Sequence, residues 1–406
     1  MNRLIVFFMF ATLISCASKK KIIDNNLMKQ ANNWAQQFII ADGHVDLPYR
    51  MKVKNFRMDK EFVGIPISSK DGDFDFKRAK KGGLDAPFMS IFIPADKDTE
   101  DSKKLADTLI NMVTWIADQN SAYFAIAKTP GDVRRIVAGG KIALPMGMEN
   151  GSPISALDDV AYYRKKGISY VTLTHSKDNL ICDSSYDTTH THNGLSAFGY
   201  TVIEKMQRVG IMIDISHVSD SAFFDVINVV HVPVIASHSS ARKFTPGFER
   251  NMSDDMIVAL GKNGGVIMIN FGSTFLDGEI QKIRNQHREM LAKIYEEKGL
   301  KEDSKEAEKI RDKFSKTHKN VYSDVAKVVD HIDHVVKLVG IDHVGFGSDF
   351  DGVGDSLPTG LKDVADYPNL IYELLKRGYL PQDIKKICSD NVFRVWQQVL
   401  DYSSRR

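Results

Sequence analysis

The chain has 406 residues, a length that suits one large domain or two of ordinary size. A hydrophobic content of 43% is that of a soluble globular protein with ample material for a core. Because 54 Lys and Arg residues balance 52 Asp and Glu residues, the charge gives no basis for binding nucleic acid.

The N-terminus has the pattern of a targeting segment. A short polar start precedes an apolar run at 4–15, which is too short to span a bilayer and suits a signal peptide. The run ends in Leu-Ile-Ser-Cys, which looks like a bacterial lipobox, so we predict that residues 1–15 are removed and that Cys16 is lipidated. An ordinary signal peptide is the alternative. Residues 16–37 would then be a tether and lead-in, and we expect an exported bacterial lipoprotein, anchored to a membrane and facing the periplasm.

Eight short apolar runs alternate with helical stretches along the rest of the chain. The runs are 38–46, 86–95, 141–150, 169–175, 210–217, 232–239, 265–272 and 342–350. Helical spacing is clearest in 102–119, 196–210 and 322–340, and the last two begin with a Ser cap signal and end on Gly. Apolar strands separated by helices indicate a parallel sheet covered on both faces. We therefore predict one α/β domain over 38–406, a TIM-like (β/α)8 barrel, with a doubly wound open sheet as the alternative.

Residues 281–320 differ from the rest of the chain, since 20 of these 40 positions are Lys, Arg, Asp or Glu. We predict a charged, solvated helical insertion before the last strand. A lid or a partner surface is the alternative.

Residues with ligand or proton chemistry come at the ends of most of the predicted strands. They are His44, Asp46, Glu149, His175, His217, His238 and Asp349. In a barrel enzyme the site lies at the carboxyl ends of the strands, so these side chains would meet in one mouth. Each could instead be an ordinary core, capping or turn residue.

Carboxylates and imidazoles packed together need a counter-charge, and a divalent cation supplies one. Neutral imidazole and carboxylate suit zinc, and also manganese or cobalt. A catalytic zinc keeps one position open, so this many candidate ligands favours two metals that share a carboxylate. A calcium loop around Asp349 and Asp351 is disfavoured because no Glu follows at the required spacing.

Several stretches together resemble the zinc membrane (renal-type) dipeptidases, peptidase family M19, among the amidohydrolase-like barrel enzymes. These stretches are DGHVDLP, GMENG, YVTLTHS, HNGLSAFG, GIMIDISHVSD, PVIASHSSAR, ERNMSDD and VGFGSDFDGV. The similarity runs from about residue 38 to about residue 400. It implies a dipeptidase with two zinc ions, dipeptide substrates and a homodimer.

The resemblance also implies a role for each matching residue. His44 and Asp46 would bind the first zinc, Glu149 would bridge both ions, and His217 and His238 would bind the second. His175 would contact the substrate near its scissile carbonyl. Arg250 would hold the substrate carboxylate, and Asp349 would be the proton carrier that also contacts the substrate. The usual His-Asn-Asp of the family is His44-Val45-Asp46 here.

The resemblance suggests hydrolysis by a hydroxide that bridges two metals, with Asp349 acting first as general base and then as general acid. Two rival functions remain open from the sequence. One is a metal hydrolase on the same barrel that acts on cyclic amides, lactones or phosphoesters. The other is a lipid-anchored binding protein that has no activity. Cys182 and Cys388 could pair in an exported protein, but their spacing does not show it.

Overall fold

The computed structural model describes residues 24–53, 66–302 and 304–405. The predicted signal peptide, Cys16 and the first part of the tether lie outside the described residues. In the part that is described, no helix combines the length and the apolar character needed to cross a membrane. The lead-in is helical over 24–37, where Ala31 and Ala35 are buried, so this stretch belongs to the folded body.

Eight parallel strands close into a barrel. In chain order they are β1 (Ile40–Val45), β2 (Leu84–Phe92), β5 (Met146–Glu149), β6 (Ile168–Thr172), β7 (Met212–Asp214), β8 (Ile235–Ser239), β9 (Val266–Ile269) and β10 (Val344–Phe346). Each strand pairs with the next in this order, and β10 pairs with β1. The predicted (β/α)8 barrel is confirmed, and the open-sheet alternative is wrong because the sheet has no edges.

The third predicted run, 141–150, forms two strands instead of one. β4 (Ile142–Leu144) pairs in parallel with β3 (Phe124–Ile126) in a separate two-stranded sheet, and β5 follows in the barrel. Pro145 lies between β4 and β5. Since proline cannot donate a ladder hydrogen bond, it separates the two pairings.

Helices follow most strands, and the loops after the strands carry additional short helices. The helices are α1 (24–37), α2 (Leu47–Val53), α3 (Phe76–Gly82), α4 (Thr99–Gln119), α5 (Pro130–Ala138), α6 (Leu157–Lys166), α7 (Ala197–Val209), α8 (Asp220–Val229), α9 (Asp254–Asn263), α10 (Ser273–Leu276), α11 (Gly278–Glu297), α12 (Lys305–Thr317), α13 (Val325–Val339), α14 (Tyr367–Lys376), α15 (Pro381–Lys385) and α16 (Asn391–Ser404). The charged segment 281–320 lies over α11 and α12, between β9 and β10.

Two predicted helix starts have different outcomes. Ser196 caps α7, because its side chain accepts a hydrogen bond from the backbone N–H of Gly199. The predicted serine cap of α13 is wrong: Asp324 accepts from the N–H of Lys327 instead. Asp and Ser are both good caps, and Asp324 is used because it is the extended residue directly before the first helical residue.

Tyr170 extends from the barrel interior to the carboxyl ends of the strands. Tyr170 of β6 is buried beside Phe88 of β2, and Trp396 of α16 packs 5.3 Å from the same Phe88 ring. The Tyr170 ring crosses the backbone of Gly147, where any Cβ would clash with it. Its hydroxyl thereby reaches the carboxyl end of β1.

Both cysteines in the described part of the chain, Cys182 and Cys388, are buried free thiols. They therefore pack as small apolar side chains, and the disulfide alternative is not formed.

Candidate active site and metal centre

The seven strand-end residues converge around Glu149, the last residue of β5. Its Oε2 atom lies 3.1 Å from Nε2 of His44. Its other oxygen, Oε1, lies 3.1 Å from Nε2 of His217 and 3.2 Å from Nε2 of His238. One carboxylate thus faces His44 with one oxygen and both His217 and His238 with the other.

The ligand atoms form three overlapping groups in which all atoms lie within 4.8 Å of one another. The groups are His44, Glu149 and His238; Glu149, His175 and His217; and His44, Asp46 and Asp349. His175 and Asp349 therefore lie close enough to share in metal binding, although the resemblance gives them other roles. The side chains of His44 and Asp46 lie on one side of β1, with Nε2 and Oδ2 3.4 Å apart, as the two-residue period of an extended chain predicts.

Tyr170 fixes the orientation of His44. The tyrosine hydroxyl donates its only proton to the carbonyl oxygen of Gly43 at 2.9 Å. Its contact of 3.0 Å with Nδ1 of His44 must then be a hydrogen bond that the imidazole donates. In the neutral ring Nε2 consequently keeps its lone pair, and this atom points at Glu149 and Asp46. This is how a histidine is oriented to bind a metal.

His238 is oriented in the same way from the other side of the barrel. The Ser237 hydroxyl donates to Oδ2 of Asp214 at 2.6 Å and accepts from Nδ1 of His238 at 2.7 Å. The backbone N–H groups of Ser216 and Ser237 donate to the other oxygen of Asp214. Asp214 therefore holds Ser237, and Ser237 leaves Nε2 of His238 free to bind a cation.

Two of the site residues occupy the left-handed region of the backbone map. φ is 70° at His217 and 62° at Asp349. Outside glycine this conformation is uncommon, and Asp, Asn and His are enriched among the residues that adopt it. Both residues lie three positions after the end of a strand, His217 after β7 and Asp349 after β10, in the loops at the barrel mouth.

The protonation states suit a metal centre. Burial lowers the pKa of His217 and of His238 well below the usual value, so both rings are neutral. Burial raises the pKa of Glu149, but His44 and hydrogen bonds from His217 outweigh this effect and hold it well below its usual value. Burial likewise lowers the pKa of His44, yet Tyr170 and Glu149 raise it well above its usual value. The neutral rings of His217 and His238 beside the ionised Glu149 are donors that zinc takes, and a cation bound here would displace the proton that Glu149 favours on His44.

Unsatisfied atoms also favour a cation at this point. The Nε2 atoms of His217 and His238 lie 2.9 Å apart, and both lie against the same carboxylate oxygen. Oδ1 of Asp46 is buried without a hydrogen-bond partner among the described residues. Buried acceptors in this number are costly unless a cation lies among them, so the residues fit a metal.

Asp349 lies beside this cluster in a different environment. Burial raises its pKa to about 7. The side-chain amide of Asn270 donates to its Oδ2 at 2.8 Å. A Cβ on Gly352 would clash with both Asp349 and Asp46, so only glycine allows the two carboxylates to lie as close as they do. A buried carboxyl group with a pKa near neutrality can exchange a proton at physiological pH.

Arg250 lies behind the cluster. Its Nη1 donates to Ser239 Oγ at 2.7 Å, and its Nη2 donates to the carbonyl oxygen of His238 at 2.8 Å. The side chain is buried, and Nε has no partner in the described structure. Within the described ranges, no carboxylate lies at ion-pair distance from this guanidinium. It is thus a buried positive charge without a counter-ion, which favours binding of an anion.

A cavity of about 620 Å³ opens over the site. Asp46, Glu149, His175, His217 and Asp349 line it, whereas the described lining does not include Arg250. His175 retains 23% of its side-chain exposure and packs edge-on against Phe92, with ring centroids 4.9 Å apart. The imidazole of His175 can therefore touch a bound molecule.

Sequence reasoning missed the residues that orient the site. Tyr170, Asp214, Ser237 and Asn270 all bond to a predicted site residue, and none of them was predicted. Asp214 lies three positions before His217, and Ser237 directly precedes His238. This closeness in sequence is the one signal that could have indicated them. Val45 stands where the family usually has Asn, and its side chain is buried in the hydrophobic core. The orientation of His44 is fixed by Tyr170.

The fold and this donor set define the class: a (β/α)8 barrel with a candidate metal site at the carboxyl ends of its strands. The profile of the membrane dipeptidases, peptidase family M19, matches residues 28–406. Dipeptidase tcpJ of Claviceps purpurea (strain 20.1) is 32% identical over 373 residues, which cover 89% of this chain and 77% of that protein. The chain belongs to the membrane dipeptidase family and is a metallopeptidase of that family.

Solved structures show the same fold. The probable dipeptidase PvdM from Pseudomonas aeruginosa matches with a TM-score of 0.79 at 23% identity, over 93% of this chain and 99% of that one. A metallo peptidase from Rhodobacter sphaeroides, liganded with a phosphinate mimic of the dipeptide L-Ala-D-Ala, matches with a TM-score of 0.73 at 22% identity, over 89% of this chain and 99% of that one.

Proposed function

We propose that this protein hydrolyses dipeptides at a centre of two zinc ions bound by His44, Asp46, Glu149, His217 and His238. The observation that carries the proposal is that the two carboxylate oxygens of Glu149 face different histidines. Oε2 is 3.1 Å from the nitrogen of His44, and Oε1 is 3.1 Å from that of His217. A carboxylate with both oxygens engaged in this way is suited to bridge two ions.

The chain's own residues would supply the remaining steps. Two zinc ions held here would lower the pKa of a shared water, so that hydroxide is available near neutral pH. Asp349 would take the proton at its carboxylate and return it to the leaving amine. His175, at the wall of the cavity, would donate a hydrogen bond to the substrate carbonyl.

Arg250 would bind the free carboxylate of the substrate. The support is its buried guanidinium, whose nearest partners are uncharged oxygens of Ser239 and His238. A carboxylate placed against this group neutralises the charge and fixes one end of the substrate. A longer peptide would place its carboxylate too far from the scissile bond, which explains a preference for dipeptides.

Replacement of Arg250 tests this role. We expect Arg250→Ala to raise KM for a dipeptide about 100-fold, because a charge-assisted bond to the carboxylate is lost. The same dipeptide with a C-terminal amide should be a poor substrate for both proteins, with little difference between them. Steady-state kinetics on the matched pair of substrates measures both effects. An equal loss on dipeptide and amide would mean that Arg250 acts on the structure and not on the carboxylate.

Metal content and activity measured together test the proposed function. We expect about two zinc ions per chain by elemental analysis, loss of dipeptide cleavage on chelation, and recovery when metal is restored. One metal per chain in an active sample would contradict the bridging role of Glu149. Two metals without cleavage of any dipeptide would contradict the proposed reaction.

Anchoring and export are proposals from the sequence of residues 1–25. We propose that Cys16 carries a lipid and holds the barrel at a membrane on the periplasmic side. A homodimer is proposed from the family resemblance.

A further inference from the structure

A second compartment adjoins the catalytic cavity. It measures about 540 Å³ and shares three lining residues with the first: Tyr186, Thr274 and Phe275. Because the two spaces share these walls, a molecule bound over the metal ligands can extend into the compartment.

The compartment has an apolar wall and a polar wall. Phe248 lies between the other two rings of the apolar wall, with its centroid 6.0 Å from that of Tyr186 and 5.7 Å from that of Phe275. The polar wall is one face of α11, the first helix of the charged insertion. It consists of Gln281, Asn285 and Arg288, at the four- and three-residue spacing that aligns side chains on a helix.

Arg288 sets the charge of this compartment. It is the one charged residue among those described as lining the space. It is exposed, and it forms no hydrogen bond or ion pair with the described residues. Its neighbour Arg284 is different, because that guanidinium donates to the carbonyl oxygens of Val321 and Asp355. The charge of Arg288 is thus available to a ligand.

The compartment lies at the Arg250 end of the site. The Arg250 guanidinium packs over the Phe275 ring, 5.5 Å from its centroid, and Phe275 is one of the shared walls. Tyr186 is another shared wall. Burial raises its pKa, and the charges of Arg250 and Arg288 both act to lower it, so both guanidinium groups are near this side chain. If Arg250 binds the substrate carboxylate, the side chain nearest to this end belongs to the C-terminal residue of the dipeptide.

We propose that the compartment takes the side chain of the C-terminal residue and that Arg288 selects a carboxylate there, as in a C-terminal glutamate. This inference rests on the proposed function. The aromatic wall packs against the methylene groups of such a side chain, and Arg288 pairs with its end. The insertion thereby acts in substrate choice.

Selectivity between Glu and Gln at the C-terminal position tests the inference. We expect the wild type to favour Ala-Glu over Ala-Gln in kcat/KM, and Arg288→Ala to lower that ratio about two- to fivefold, as an exposed ion pair allows. Arg288→Glu should lower it further. Lys282→Ala is the matched control, since Lys282 is an exposed cation on the same helix outside the described lining.

The outcomes separate the inference from the proposed function. The inference is overturned if the protein cleaves Ala-Ala and neither Arg288 variant changes the ratio of kcat/KM for Ala-Glu to that for Ala-Gln. The proposed dipeptidase activity would still stand. The inference is also overturned if Arg288→Ala changes the preference for Glu-Ala over Gln-Ala and leaves the preference for Ala-Glu over Ala-Gln unchanged. The compartment would then take the N-terminal side chain. Cleavage of no dipeptide by the wild type would overturn both.

Discussion

The substitution Glu149→Gln is expected to remove the bound metal and to lower dipeptide hydrolysis by more than about a thousandfold. The new amide has nearly the shape of the carboxylate but no charge, and it replaces one of the two oxygens with an NH₂ group that cannot bind a cation. His44 on one side and His217 on the other would lose their common partner. Elemental analysis and the hydrolysis rate of one dipeptide measure the two effects.

Glu373→Gln is the control for this variant. Glu373 is also a buried glutamate, but it lies on α14, where it pairs with Lys376 and Arg377. We expect this variant to keep the metal content and the turnover of the wild type, even if it unfolds at a lower temperature. Full metal content in Glu149→Gln would contradict the proposed bridging role of this residue.

The second large effect is expected for Asp349→Asn. The amide keeps an oxygen that can accept the hydrogen bond from Asn270, so the local structure should persist. It can no longer take up a proton, and loss of a general acid and base costs about a hundred- to ten-thousandfold. Turnover should fall by this amount while metal content stays at the wild-type level.

Asp351→Asn is a matched control two residues along the chain. Burial also raises the pKa of Asp351 to about 7, but this residue pairs with Arg50 and is not part of the candidate metal groups. We expect a less than tenfold change in turnover. Wild-type turnover in Asp349→Asn would exclude Asp349 as the proton carrier. Loss of metal from that variant would show that Asp349 is a ligand.

The barrel could be predicted because parallel strands covered on both faces must be apolar throughout. Each of the eight apolar runs overlaps one barrel strand, and each is long enough to stand out from the helices beside it. The run at 141–150 shows the limit of this signal. Two strands of different sheets, β4 and β5, lie there one after the other and both are buried, so burial does not tell which one enters the barrel.

The candidate site could be predicted only where its chemistry comes at the end of a run. His44, Asp46 and Glu149 were found in this way, and the structure brings them together. Tyr170 was not found, because it belongs to the buried barrel interior by composition and reaches His44 only when β6 is placed in the closed sheet. The lack of a counter-ion at Arg250 is likewise a property of the packing, which no sequence pattern reports.

The left-handed backbone at His217 and Asp349 has an evolutionary consequence. Each such residue costs the folded state roughly 1–2 kcal/mol relative to glycine, so the catalytic end of the barrel detracts from the stability that the core provides. Selection for activity retains this cost. A descendant that no longer needed to cleave peptides would gain stability from glycine at either position. Loss of the activity would then be favoured both by relaxed selection and by the more stable fold.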